Sequence, residues 1–483
     1  MKITSKQSYN DLFFWIGVYF ILLLLILLPI FSVSGGMVYP LDDVYIHLTM
    51  AKNLFQNGTW GMFSNENISA SSSPLYTLLL SPLTFNESIA ILAPIVLNVI
   101  ASLLLLYQLH LLLQTTLTSS VFRYVIGIVF ILLIPLPSLT VMGMEHLIHC
   151  LFIVIIIRYT LTESLTKNIL PLFISFSIFL RLETTFVIGG LLAWCLLERK
   201  WGIIVQLLIG CCIGIFLYFL LSVIFTIPII PNTILLKTII SNDSFLQTTI
   251  HKVWNSKLLL GISVLSFITL IIQWKKSKLF LIVFITSLLQ LVLSRQGWFF
   301  RYEAFVITLF FVVGLIEFLA IIDQKKKIFF IIIACIFLLL CGKRAFLSMT
   351  TTHLASKNIY DQQIQMAIII KTLPISTNIA VNDIGAVSYY NDNKILDLYG
   401  IASKDVFMLK KSNSFTPEKV QGLLNSNNID CIFVYSSWFD ANMFERYTPI
   451  HKLHLYNNVV CGDSLVTIFQ TQNSNNKLHV QFP

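Results

Sequence analysis

Apolar runs of near-constant length, broken by short polar tags, fill the chain up to about residue 347. A bilayer-spanning helix needs roughly 20 mostly apolar residues, and the runs predict about eleven such helices. They lie near 12–33, 89–114, 122–141, 147–161, 169–182, 184–197, 202–226, 255–273, 279–294, 303–322 and 328–346. The pair on either side of Arg181 is short and fits two re-entrant segments as well as two full spans. After residue 347 the pattern changes. Short apolar stretches at Asn378–Val381, Ile395–Leu398, Cys431–Tyr435 and Leu465–Phe469 predict strands. Ile359–Thr372 has helical spacing, and Thr416–Asn425 predicts a helix with a Thr cap and Pro417 at its first position. Alternating strands and helices predict a small layered α/β domain. The expected organisation is a polytopic α-helical membrane module over 1–347, with a first outer loop at 35–88, followed by a soluble α/β domain over 348–483.

Composition agrees with the pattern. Of the 483 residues, 56% are hydrophobic and only 11% charged, against about 25% charged in a soluble domain. The net charge of +9 comes wholly from the first part: from Lys357 onward ten Lys/Arg balance ten Asp/Glu. Bases that sit in short loops between apolar runs set topology; they do not form a nucleic-acid-binding face. The clusters Glu198-Arg199-Lys200, Lys275-Lys276-Ser277-Lys278 and Asp323–Lys327 define the cytoplasmic side. The N-terminus then lies inside, the first helix is an uncleaved span rather than a signal peptide, and the tail lies outside. Six of eight cysteines fall in or beside apolar helices; Cys431 and Cys461 share the tail, where an oxidising compartment would allow them to pair.

The carboxylates of interest collect on the outer side. Asp42 and Asp43 stand just past the first helix. Two adjacent carboxylates supply a general base with an orienting partner or a metal ligand, and they equally supply the cap of a helix over Val44–Leu54. Glu145 sits at the head of the fourth helix beside His146, where an ionisable group either functions or is solvated at a helix end. Arg181, Lys237, Arg295 and Arg301 are bases on the side that the positive-inside bias disfavours. A lipid-linked phosphate would explain them; so would pairing with Glu183 or Glu303, or snorkelling to headgroups.

These residues resemble the bacterial GT-C membrane glycosyltransferases, both the family-39-like and the arabinofuranosyltransferase-like enzymes. The resemblance rests on Asp42-Asp43 with Ser73-Pro74-Leu75, Gly143-Met144-Glu145, Arg181-Leu182-Glu183, Pro231-Asn232-Thr233 with Lys237, and Gly297-Trp298 through Arg301-Tyr302-Glu303. In the tail it adds Asn358-Ile359-Tyr360 with Gln362-Gln363, Asn382-Asp383-Ile384-Gly385-Ala386, and Asp397-Leu398-Tyr399-Gly400. The chain departs from the pattern at Thr49 and Lys52, where relatives commonly carry Arg, and at Leu182, where Pro or Tyr is usual.

The resemblance implies transfer of a sugar from a polyprenyl-phosphate donor to a glycan, lipid or protein acceptor on the outer face of a bacterial inner membrane. It implies Asp42, taken ahead of Asp43, as the base, with Glu145 beside them and inversion at the anomeric carbon. His47, Lys52, Arg181, Glu183, Asn232, Lys237, Arg301 and Tyr302 become the substrate-binding set. Where carboxylates cluster, a divalent cation, Mg or Mn, is compatible with them, and no nucleic acid is expected as a partner. The competing readings are a transporter or flippase of lipid-linked glycans, which would place ionisable groups near the midplane in repeated halves, and a non-catalytic glycan-binding relative.

Overall fold

The computed structural model describes residues 9–64, 66–114, 117, 119–162, 169–239, 245–320 and 324–471. Asp323 and the expected inner loop at 163–167 lie outside them, as does the side chain of Lys237. The chain forms two compact units. One contains Met1–Leu28, Ile95–Leu217 and Asp243–Thr350; the other contains Pro29–Pro94, Tyr218–Asn242 and Thr351–Pro483. The first outer loop therefore groups with the tail.

Each apolar run becomes helical. Among the described residues, four helical stretches are long and apolar enough to cross a bilayer: Asn10–Ser34, Glu87–Gln114, Trp201–Phe225 and Lys327–Lys371. A bent pair, Thr249–Asn255 with Lys257–Gln273, makes a fifth if taken as one span. The remaining apolar helices run 10–17 residues, among them His146–Leu161, Leu170–Leu180 and Thr184–Leu197. The expected single span over 122–141 is instead two helices, Ser120–Leu133 and Leu136–Val141. Pro135 and Pro137 explain the break: proline lacks the N–H that continues a helix, and it disfavours helical backbone in the residue before it.

In the second unit, a five-stranded sheet has the order β2-β1-β3-β5-β4. Its strands are β1 (Ile379–Val381), β2 (Ile395–Asp397), β3 (Cys431–Val434), β4 (Thr448–His454) and β5 (Leu465–Gln470). β1 pairs in parallel with β2 and β3; β5 pairs antiparallel with β3 and β4. The three parallel strands are buried throughout, as the continuous apolar runs of sheets covered on both faces require. Ile432, Val434, Leu424 and Phe444 belong to one hydrophobic core of this sheet. β4 went unforeseen because Thr-Pro-Ile-His-Lys-Leu-His carries little apolar signal. It is a largely exposed edge strand, where Pro449 and Lys452 are the residues that keep an edge from pairing further. Cys431 and Cys461 are both free thiols, so the disulfide that the tail allowed is absent here.

The long helix Gln324–Ile359 runs into a π-helical turn, Tyr360–Ile364, before resuming as Gln365–Lys371. Such single wide turns recur at functional positions, and this one carries Gln362 and Gln363, both buried.

Candidate active site

The helix that follows the first outer segment spans Asp43–Asn57. It ends where Gly58, in the left-handed region at φ 65°, donates its N–H to the Leu54 carbonyl. Asp42 precedes it as the capping residue, yet its side chain makes no cap hydrogen bond. The carboxylate turns instead to the tail. Gly385 N–H donates to Oδ2 at 2.6 Å and Ala386 N–H donates to Oδ1 at 2.7 Å. Both donors open the short helix Gly385–Tyr390, so the first-turn N–H groups that a helix cannot satisfy internally are satisfied by Asp42. Sequence reading singled out both segments; their meeting across more than 340 positions was not legible in either.

Asp42 and Asp383 are hydrogen-bonded to each other. Asp383 Oδ2 also accepts from Gln363 Nε2 at 2.9 Å and from the Tyr435 hydroxyl at 3.1 Å. Burial, followed by the adjacent Asp383 carboxylate, pushes Asp42 well above the usual carboxylate range. Asp383 is raised too, chiefly by burial, against the lowering effect of hydrogen bonds from Asp42, Gln363 and Tyr435. The pair therefore keeps a proton between its two carboxyls above the pH at which ordinary carboxylates have lost theirs. A carboxyl with a raised pKa binds more protons folded than unfolded. The pair's net contribution to folding is then most favourable below the ordinary carboxylate pKa and weakens as pH rises through the raised one. Hydrogen-exchange protection factors of Gly385–Tyr390 should fall as pH rises above the ordinary carboxylate range, and Asp383→Asn should flatten that slope. Protection independent of pH in the parent protein would rule out the shared proton.

The remaining first-loop residues build the support. His47 is buried, with Nδ1 3.2 Å from Ser71 Oγ and 3.3 Å from Thr77 Oγ1, and its ring meets Tyr76 edge-on. The Ser-Ser-Ser73-Pro74 segment thus braces the helix. Tyr45 packs near Tyr389 and Tyr390 of the tail. Lys52 forms an ion pair with Glu87 at 3.7 Å. Asn232 belongs to the same unit: its N–H donates to the Ser69 carbonyl at 2.9 Å and its Nδ2 to the Ile401 carbonyl at 3.3 Å. It opens the helix Asn232–Ile239, on which Lys237 lies. Asp397 proves to be a turn-closing carboxylate, accepting the N–H groups of Tyr399 and Ala402, each at 2.7 Å.

Glu145, Arg181, Glu183, Arg301 and Tyr302 gather in the other unit. Arg181 joins two helix ends: its guanidinium donates to Glu183 through Nε and Nη2, at 3.0 and 2.5 Å, and to Glu145 through Nη1 at 2.7 Å. All three groups are largely buried, and Arg181 lies 5.7 Å from the Tyr302 ring centroid. The fork geometry of a guanidinium is what allows one side chain to hold two carboxylates. Arg301 lies against the same ring at 5.0 Å and donates to the Tyr302 hydroxyl at 3.2 Å. Arg181 is thus committed to both neighbouring carboxylates, as the ion-pair alternative for that base anticipated. Arg344, which sequence reading passed over, is buried and donates to the Phe300 carbonyl.

Tyr435 is the site residue hardest to foresee: a Tyr at the end of a strand carries no chemical signature until the fold brings its hydroxyl to Asp383. Gln362 and Gln363 stood out as a motif, but only the fold turns Gln363 to Asp383 and sets Gln362 to accept from the Tyr435 hydroxyl. Among the described residues, no three His, Cys, Asp or Glu side chains converge in an arrangement that could hold a metal ion.

Comparison with known proteins agrees with this architecture. A family described as a domain of unknown function (DUF8728) matches residues 357–469, which include β1 to β4 and all but the last residue of β5. No curated protein matches the chain. The crystal structure of ArnT from Cupriavidus metallidurans in the apo state is similar over 94% of this chain and 98% of that chain, with a TM-score of 0.50 and 13% identity. Identity that low carries the fold alone. The chain accordingly has an ArnT-like fold: it is a mostly helical, multi-pass membrane protein with a small sheet domain.

Proposed function

We propose that the chain is a membrane glycosyltransferase that moves a sugar from a polyprenyl-phosphate donor to a hydroxyl of a cell-envelope acceptor, within the GT-C class of family-39-like and arabinofuranosyltransferase-like enzymes. The observation that carries the reading is a pair of adjacent carboxylates, Asp42 and Asp43, of which the first is anchored to the tail, on a GT-C-like fold. The anchoring divides their labour. Asp42 has a backbone N–H on each oxygen and shares a proton with Asp383. It is a positioning residue, and Asp43, which makes neither backbone bond, is the base. This reverses the order of preference drawn from sequence.

In the proposed step the acceptor oxygen attacks the anomeric carbon opposite the phosphate. Its proton passes to Asp43 as the new C–O bond forms. The bond from the anomeric carbon to the phosphate oxygen breaks, and its electron pair leaves with polyprenyl phosphate, so the configuration inverts. Lys237 and Arg301 are assigned to the charge that grows on that phosphate; this assignment rests on their motifs. Glu145 and Glu183 hold Arg181 beside Tyr302, with which Arg301 also pairs. The inner membrane is the proposed location, with the sheet domain on its outer face.

The test uses the full chain reconstituted in lipid and supplied with membrane extracts containing polyprenyl-phosphate sugars and acceptors. Mass spectrometry should detect a sugar-sized increment on an acceptor and release of polyprenyl phosphate. Movement of an intact lipid-linked glycan across the bilayer, with no increment, would replace this reading with the flippase alternative.

A further inference from the structure

A second feature of the sheet-bearing unit lies apart from the Asp42 clamp. The helix Asp43–Asn57 directs Thr49, Lys52, Asn53, Gln56 and Asn57 into a cavity of about 610 Å³. Their spacing of three and four residues puts them on one helical face. The opposite wall comes from the tail: Asn391 through Leu396, leading into β2, and Ser403-Lys404-Asp405 at the head of the helix Lys404–Lys411. β2 is an edge strand, so its outer side has no strand neighbour among the described residues.

The lining has a definite chemistry. Three lysines, Lys52, Lys394 and Lys404, face three carboxylates, Glu66, Asp392 and Asp405. An anion would meet as many like charges as opposite ones, so a phosphate or an acidic headgroup has no net attraction here. Six carboxamides line the same space, and amides both donate and accept. Asn391 shows how one is fixed: its Nδ2 donates to the Ala367 and Val387 carbonyls, each at 3.1 Å, which sets the amide plane and reserves its oxygen as an acceptor. Half-buried Phe63 adds an aromatic surface. Interleaved donors and acceptors without net charge, with one aromatic face, suit a ligand made of vicinal hydroxyls and C–H faces. The volume lies within the range of small-ligand sites.

We propose that this cavity binds a neutral saccharide, and that the saccharide is part of the acceptor. Only the second clause rests on the glycosyltransferase reading. The full chain in lipid nanodiscs would be applied to arrayed neutral oligosaccharides, uronate-containing and phosphorylated counterparts, and unstructured peptides, with no sugar donor present. Neutral oligosaccharides should be retained. Gln56→Trp, a wedge on an exposed turn of the lining helix, should weaken retention at least tenfold, as should Asp392→Ala combined with Asp405→Ala. Ile375→Ser, exposed and outside the cavity lining, should leave retention unchanged. Unchanged thermal unfolding would show that all these variants fold. The proposal is overturned if the parent retains no neutral oligosaccharide, if the cavity variants retain them equally well, or if anionic glycans or peptides bind in preference. A peptide would point to strand addition along β2 instead. Because binding is read without turnover, cavity-dependent retention without transfer would sink the enzyme reading alone, and transfer without retention would sink the cavity alone.

Discussion

Asp43→Asn should lower sugar transfer by about 10²- to 10⁴-fold, the usual contribution of a positioned general base, while leaving the protein folded. The amide is nearly isosteric with the carboxylate but cannot take the acceptor proton. Hydrogen exchange across Gly385–Tyr390 should match the parent, because Asp43 supplies neither bond to Gly385 nor to Ala386. Asp42→Asn should behave differently. An amide at that position still offers one oxygen to one backbone N–H but turns an NH₂ toward the other, so two donors face each other. Transfer should fall and protection of Gly385–Tyr390 should fall with it. Measuring both quantities in both variants separates the roles. If Asp43→Asn retains full transfer while Asp42→Asn loses it with protection intact, Asp42 is the base and the division of labour is wrong.

Gly385→Ala should be the most disruptive single methyl in the tail. A Cβ there would come 2.2 Å from the Asp42 carbonyl oxygen and 2.5 Å from its Oδ2. Real Cβ atoms do not approach so closely, and the nearest obstacle is backbone, which cannot swing away. The segment at Asp42 and the short helix would have to part, breaking both hydrogen bonds. Overpacking and the loss of those bonds together should cost about 3 kcal/mol. Thermal unfolding and hydrogen exchange of Asp43–Asn57 would report the loss. As a control, Gly422→Ala lies on the helix Pro417–Ser426 with open space around its would-be Cβ, and should be neutral or slightly stabilising. A Gly385→Ala protein as stable as the parent, with unchanged exchange in the loop helix, would mean that the clamp is not formed.

Much of the architecture was legible because it follows from short-range rules. Apolar runs longer than a few turns must bury their backbone polar groups in helices, whatever else the chain does. Every predicted apolar segment is therefore helical, and proline explains the one that is divided. The parallel strands were legible for a related reason: strands buried on both faces read as continuous apolar runs. β4 was not, because an exposed edge strand is free to be polar.

The candidate site divides in the same way. Asp42-Asp43, Glu145, Arg181, Arg301 and the Asn382–Ala386 turn stand out in the sequence because charge and glycine are unusual where they occur. By itself, then, the sequence determined the helices, most of the sheet and the motifs that bear the chemistry, since each depends on neighbours a few positions away. Only the tertiary structure decided that Asp42 is held by the N–H groups of Gly385 and Ala386, that Tyr435 and Gln363 reach Asp383, and that Arg181 is shared by Glu145 and Glu183. The reason is physical. A hydrogen bond or ion pair between distant residues depends on angles and distances that accumulate over every intervening turn, and no local pattern of residue types encodes their sum.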